Sequence, residues 1–156
     1  MRNACLVDTN ILVYAYDNSV PEKQPVAENL LDNLVLDDRG VLTVLVLAEF
    51  YVVVTRRITQ PLSVEEAEVA VLELAEAFQV CDLTTAIVLE AARGVRQYGM
   101  SYWDAQIWAS AKLNQVAVVL TEDQPSARVI EGVRFVDPFG ADAETQDTLA
   151  TLGLVQ

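Results

Sequence analysis

Two short runs constrain this chain most. "ACLV" (4–7) and "VAVVL" (116–120) are wholly apolar and bounded by polar residues. Runs this short and this apolar are predicted to be strands buried in the interior. Each ends near a carboxylate: Asp8 follows the first, and Glu122 and Asp123 follow Thr121 after the second. Helical patterns separate them. "NILVYAY" can start a short helix. "PEKQPVAENLLDNLVLDD" places Val26, Leu30 and Leu34 at helical spacing, with Pro21 and Pro25 in its opening turns. "SVEEAEVAVLELAEAF" begins with a capping box of Ser63 and Glu66. "TTAIVLEAARGVRQYG" has Thr84 or Thr85 as cap and Gly99 as stop, and Ser101 caps "SYWDAQIWASAKLN". "QVCDL" and "VRFVDPF" read as further short strands. Strands alternating with helices predict an α/β fold with a parallel sheet covered on both faces. Sheets of that kind gather functional groups beyond their C-terminal strand ends, where Asp8 and Asp123 fall.

The segment "GVLTVLVLAEFYVVVTRR" fits neither pattern cleanly. Its β-branched content favours a strand and its length favours a helix. It is too interrupted to span a membrane, because Glu49 stands inside it and Arg56 and Arg57 end it. The N-terminus lacks the basic and apolar pattern of a signal peptide, which predicts a cytoplasmic protein. Cys5 and Cys81 lie in strand-like segments, so reduced core thiols are expected.

The chain has 156 residues, a net charge of −13 and no histidine. The length fits one domain. The absence of histidine excludes imidazole bases and histidine metal sites. Any bound metal would be a hard cation held by oxygen. The acidity argues against nucleic-acid binding by the whole surface, while a local basic patch stays open.

Four acids stand out: Asp8, Glu49, Asp104 and Asp123. Glu49 is the only charge between Val41 and Thr55, and Asp104 lies one turn into a helix. Carboxylates gathered together repel, and a divalent cation relieves that repulsion. Each acid also has a plainer reading. Asp8, Thr9 and Asn10 are good helix caps, and Ser101 with Asp104 forms a cap pair. Glu122 and Asp123 suit an exposed turn, and Glu49 can pair with Arg56 or Arg57. Tyr102, Trp103 and Trp108 can pack a core or stack bases. Arg56, Arg57, Arg93, Arg96 and Lys112 are phosphate-contact candidates or merely solvated helix faces.

In order along the chain, "LVDTNILVYAYD", "LAEFYVVVTRR", "SYWDAQIWASA" and "LTEDQ…IEGVRFVDPF" resemble the motifs of PIN-domain proteins, nearest to the VapC-type toxins of bacterial toxin–antitoxin pairs. The resemblance covers residues 4 to 139. It implies a three-layer α/β/α sandwich around a parallel sheet, with a PIN-like nuclease domain over residues 1–139. Residues 140–156 form a C-terminal tail, frayed or a short helix. It implies that 44–57 is helical. It implies an Mg²⁺- or Mn²⁺-dependent endoribonuclease, a homodimer, an RNA substrate and a cognate antitoxin, with no membrane association. Asp8, Glu49, Asp104 and Asp123 match the family's acidic positions as catalytic and metal residues. Thr9, Asn10 and Ser101 match its supporting polar positions. The family's last acid stands two residues after a threonine or serine, here Thr121, which selects Asp123 over Glu122. Arg56 and Arg57 are the expected RNA contacts. Two other readings stand beside this one: a catalytically silent PIN scaffold that binds a partner, and an aspartyl-nucleophile phosphatase. The phosphatase requires a second Asp at the position Asn10 occupies.

Overall fold

Strand order explains why the acids converge. In the computed structural model, which describes residues 3–125 and 127–155, six strands form one sheet in the order β3-β2-β1-β4-β6-β5. Residues 1, 2, 126 and 156, within the expected domain and tail, lie outside the described residues. The strands are β1 (Cys5–Val7), β2 (Gly40–Thr43), β3 (Gln79–Cys81), β4 (Val118–Leu120), β5 (Val129–Ile130) and β6 (Val133–Val136). The helices among them are α1 (Thr9–Tyr16), α2 (Gln24–Leu36), α3 (Val44–Arg56), α4 (Val64–Ala77), α5 (Thr85–Tyr98), α6 (Tyr102–Leu113) and α7 (Ala143–Thr151).

The chain leaves β1 through α1 and α2 to β2, then through α3 and α4 to β3, stepping outward in one direction. It then returns through α5 and α6 to β4, on the other side of β1. Parallel crossovers are right-handed, so reversing the step moves α5 and α6 to the opposite face. The contacts agree: α1 packs on α2 and α3, α3 on α4, and α5 on α6. This is the expected three-layer sandwich with a central, mostly parallel sheet.

The ambiguous segment resolves into two elements. Gly40–Thr43 is a fully buried strand, and Thr43 then caps α3 by accepting a hydrogen bond at Oγ1 from the Val46 amide, 3.1 Å. The helix buries Val46, Phe50 and Val54, which recur every four residues. That stripe outweighs the β-branched composition. Gly40 is required by packing, since a Cβ there would collide with the Phe78 ring.

Two expectations need correction, and one open alternative is decided. The buried face of α2 is Ala27, Leu30, Leu31 and Leu34, so Val26 lies off it, and Pro21 precedes the helix. One edge strand, β5, is antiparallel to β6 and was not foreseen. Its two-residue turn, Glu131 and Gly132, has positive φ at both positions, the geometry that favours a tight hairpin. Trp108 is core: it is fully buried, and its Nε1 donates to the Ile130 carbonyl at 3.0 Å.

Cys5 and Cys81 are free and buried. Helix α7 is capped by Asp142 and packs on β6, with Leu149 and Leu154 in the shared core. Among the described residues, no helix is long and apolar enough to cross a membrane.

Candidate functional site

The sheet's topological switch lies between β1 and β4, and open α/β sheets bind ligands beyond the strand ends at such a point. Asp8 leaves β1 there and caps α1, accepting from the Thr9 amide at 2.7 Å. Thr121 to Asp123 leave β4 beside it, since Val7 pairs with Leu120 and the Asp8 amide donates to the Leu120 carbonyl. The N-terminus of α6 supplies Asp104, whose amide donates to Ser101 Oγ at 3.3 Å. Helix α3 supplies Glu49. Capping and site geometry coincide at Asp8 and Asp104, because the turn that starts each helix also sets the carboxylate's position.

Neutral donors hold the acids. Thr121 Oγ1 donates to Asp8 Oδ2 at 2.8 Å and accepts from the Asp123 amide at 3.1 Å. Asn10 Nδ2 donates to the same hydroxyl oxygen at 3.4 Å. Thr9 Oγ1 donates to Glu49 Oε2 at 2.8 Å, which ties α1 to α3. Gln124 Nε2 donates to Asp104 Oδ2 at 2.9 Å. Among the described residues, none of these four acids forms an ion pair. The pairing of Glu49 with Arg56 or Arg57 is therefore not made, and Thr9 takes that place.

Glu122 behaves differently from its neighbour. Its carboxylate is taken by Lys23 Nζ at 2.7 Å and by the Tyr14 hydroxyl at 2.5 Å. Lys23 also lies over the rings of Tyr14 and Phe139. Asp123 is left facing Asp104 electrostatically.

The cost of this gathering shows in the proton affinities. Burial pushes the Asp8 carboxyl up to about 6. The Thr121 and Thr9 hydrogen bonds oppose the rise, and the charges of Asp123 and Glu49 add to it. Asp123 is also raised, first by desolvation and then by Asp104, against a hydrogen bond from Asn10. A cation among these groups would reverse both shifts.

The donor chemistry fits a hard divalent ion. The carboxylate oxygens are of the right type. The Asn10 Oδ1 is buried with no hydrogen-bond partner, an oxygen donor left over beside Asp8 and Asp123. Among the described residues, however, no three acid or cysteine side chains converge closely enough to hold an ion. Each carboxylate sits instead on its own hydroxyl or amide donor. The site is an open set of hard donors within electrostatic reach of one another.

Several predicted residues stay outside it. Arg56 and Arg57 are exposed at the end of α3. Arg93 and Lys112 are committed to Glu90 and Glu131, at distances of 2.5 to 3.4 Å. Trp103 is exposed and packs edge-on against Tyr102. Sequence reasoning missed Lys23, Tyr14, Gln124 and Arg128. The Gln124–Asp104 contact crosses 20 residues and the Lys23–Glu122 contact 99, so no local pattern marks them, and Arg128 reaches the acids only through Gln124. The one local signal was Gln124 directly beside Asp123.

The PIN domain family model matches residues 5–131. No curated protein matches the chain in sequence. Among solved structures, the fold is similar to a toxin–antitoxin complex from Klebsiella pneumoniae. The TM-score is 0.65 at 19% identity, over 87% of this chain and 98% of that one. It is similar to the DNA-bound VapBC from Salmonella typhimurium, with TM-score 0.63 and 18% identity over 86% and 98%. Mycobacterium tuberculosis VapC20, named a sarcin-ricin loop cleaving toxin, gives 0.58 and 16% over 74% and 87%. At these identities the likeness is one of fold. The family match spans most of the chain and all four acids of the candidate site, and the chain belongs to the PIN domain family.

Proposed function

We propose that this protein is a cytoplasmic, Mg²⁺- or Mn²⁺-dependent endoribonuclease, the toxin of a toxin–antitoxin pair. One observation carries the proposal: four acids at the switch point, held by neutral donors, with no counter-charge among the described residues. Other acids of this chain, such as Glu90, Glu122 and Glu131, have basic partners. A cluster left negative at the switch point is suited to a cation.

In this reading Asp8, Glu49, Asp104 and Asp123 hold the ion. When bound, it supplies Lewis-acid activation of water and neutralisation of charge at the phosphorus oxygens. The chain's own part is orientation. Thr121 fixes Asp8 and the backbone of Asp123, Thr9 fixes Glu49, and the Ser101 cap fixes the turn that carries Asp104. Asn10 keeps a buried amide oxygen without a hydrogen-bond partner, available as a further oxygen ligand. Arg56 and Arg57 contact RNA at the periphery.

Two surfaces support the expected partners. A groove of about 690 Å³ between α2 and α4 has Leu31, Leu74 and Phe78 in its lining, with Glu28, Asp32 and Glu73 alongside. Apolar lining with acidic neighbours suits a basic amphipathic segment of an antitoxin. Val44, Ala48 and Val52 make an exposed stripe on α3, suited to a second copy of the chain.

The silent-scaffold reading draws on the open spacing of the acids. Incubating wild type with labelled single-stranded RNA in EDTA, Mg²⁺ or Mn²⁺ separates the two. Cleavage that requires the divalent ion and is lost in Asp104→Asn is expected. Intact RNA in every buffer would refute the nuclease reading.

A further inference from the structure

An acidic site poses a problem for a polyanionic substrate, because the cluster repels the phosphates it must receive. The positions of the basic residues identify the group that answers it. Lys23 is bound to Glu122, Arg39 to Asp37 and to backbone carbonyls, and Arg93 and Lys112 to Glu90 and Glu131. Arg56, Arg57, Arg96, Arg128 and Arg134 form no ion pair among the described residues. Arg128 differs from the other four in its link to the acids: its guanidinium Nη1 donates to Gln124 Oε1 at 3.0 Å. The amide of that glutamine donates in turn to Asp104 Oδ2 at 2.9 Å. One side-chain amide therefore separates a guanidinium from a site carboxylate.

The arm has a fixed base. The Phe135 amide of β6 donates to the Arg128 carbonyl at 2.9 Å, and the Ala127 amide donates to the Phe135 carbonyl at 2.9 Å. Ala127 has φ of 66°, a left-handed turn immediately before Arg128. The Arg128 side chain is half-buried, and Nη2 donates to the Tyr98 carbonyl at the end of α5. A guanidinium presented this way has the planar fork that matches phosphate oxygens.

We propose that Arg128 is a substrate-binding residue that takes a backbone phosphate of RNA beside the acid cluster, positioned there by Gln124. The proposal rests on the nuclease reading and names its phosphate contact. It also orders the basic residues: Arg128 contacts RNA at the site, and Arg56 and Arg57 contact it farther out.

The test is binding of a labelled single-stranded RNA oligonucleotide, followed by anisotropy in EDTA across a range of salt concentrations. Arg128→Ala should bind several-fold more weakly and lose about 0.7 from the slope of log affinity against log salt, the share of one phosphate on a single strand. Arg128→Gln removes the charge but keeps a polar, hydrogen-bonding side chain at that position, and should lose the same slope. Arg134→Ala removes an exposed charge at the opposite end of the sheet, on the residue paired with the first residue of β4, and should leave the slope unchanged. Wild-type slopes in both Arg128 variants would overturn the proposal. Absence of salt-dependent RNA binding by wild type, both in EDTA and in non-catalytic Ca²⁺, would overturn the nuclease reading instead.

Discussion

Neutralising Asp8 should stabilise the protein when no divalent ion is present. The Asp8 carboxyl is 8% exposed and is raised from an ordinary 3.8 to about 6. A rise of roughly 2 units corresponds to about 3 kcal/mol at a pH where the group is ionised in both states. The sign follows from linkage. A folded-state value above the unfolded one contributes stability at low pH, and that contribution is lost as pH rises from about 4 to about 6. Ionised Asp8 is thus a cost at pH 8. Asp8→Asn removes the cost but weakens the hydrogen bond from Thr121, worth about 1–2 kcal/mol. The net gain should be about 1–2 kcal/mol, or roughly 2–8 °C in Tm for a chain of this size. Thermal melts in EDTA at pH 8 and pH 4 decide the matter. The variant should melt higher at pH 8 and no higher than wild type at pH 4. If Asp8 were only a helix cap, Asn would replace it with little change at either pH. A variant melting below wild type at pH 8 would refute the reasoning.

Gly40→Ala should shift the urea midpoint downward by the equivalent of about 1–3 kcal/mol, because Phe78 must move to admit a methyl group; an unchanged midpoint would show that the ring yields freely. Glu90 is held at about 2 by Arg93 and Lys112, so its contribution is present above about 4.5 and lost as pH falls toward 2. Glu90→Gln should therefore cost about 1 kcal/mol near neutrality after screening, with the difference from wild type closing in acid melts. Charge reversal at Arg56 or Arg57 to Glu should flatten the salt dependence of RNA binding, and unchanged slopes in both would assign those residues to the solvated surface.

Much of the fold was legible because buried parallel strands and capped helices leave local marks. Thr84, Gly99, Ser63 and Ser101 cap or stop their helices where sequence placed them. The 40–57 segment was not legible from propensity. Its strand and helix share one β-branched vocabulary, and only the recurrence of Val46, Phe50 and Val54 separates them. Strand β5 has two residues, too few for any periodicity. At the site, the acids were visible as charges that interrupt apolar runs or follow strand ends. Their partners were not. Whether Glu49 would meet Arg56 or Thr9 depends on how α1 crosses α3, and whether Glu122 or Asp123 takes a basic partner depends on Lys23, far away in sequence. Tertiary packing decides such contacts, and nothing local encodes them.

The central claim is that acids from four separate segments form one divalent-ion site. Calorimetric titration of Mn²⁺ into wild type, Asp8→Asn, Asp104→Asn, Asp123→Asn and Glu122→Gln tests it without reference to catalysis. Wild type should bind, and a hundredfold excess over Kd should raise its stability by about 2.7 kcal/mol. The three aspartate variants should lose most of the binding. Glu122→Gln should keep it, because that carboxylate is already paired with Lys23 and the Tyr14 hydroxyl. Equal binding by all five proteins, or loss confined to Glu122→Gln, would contradict the account.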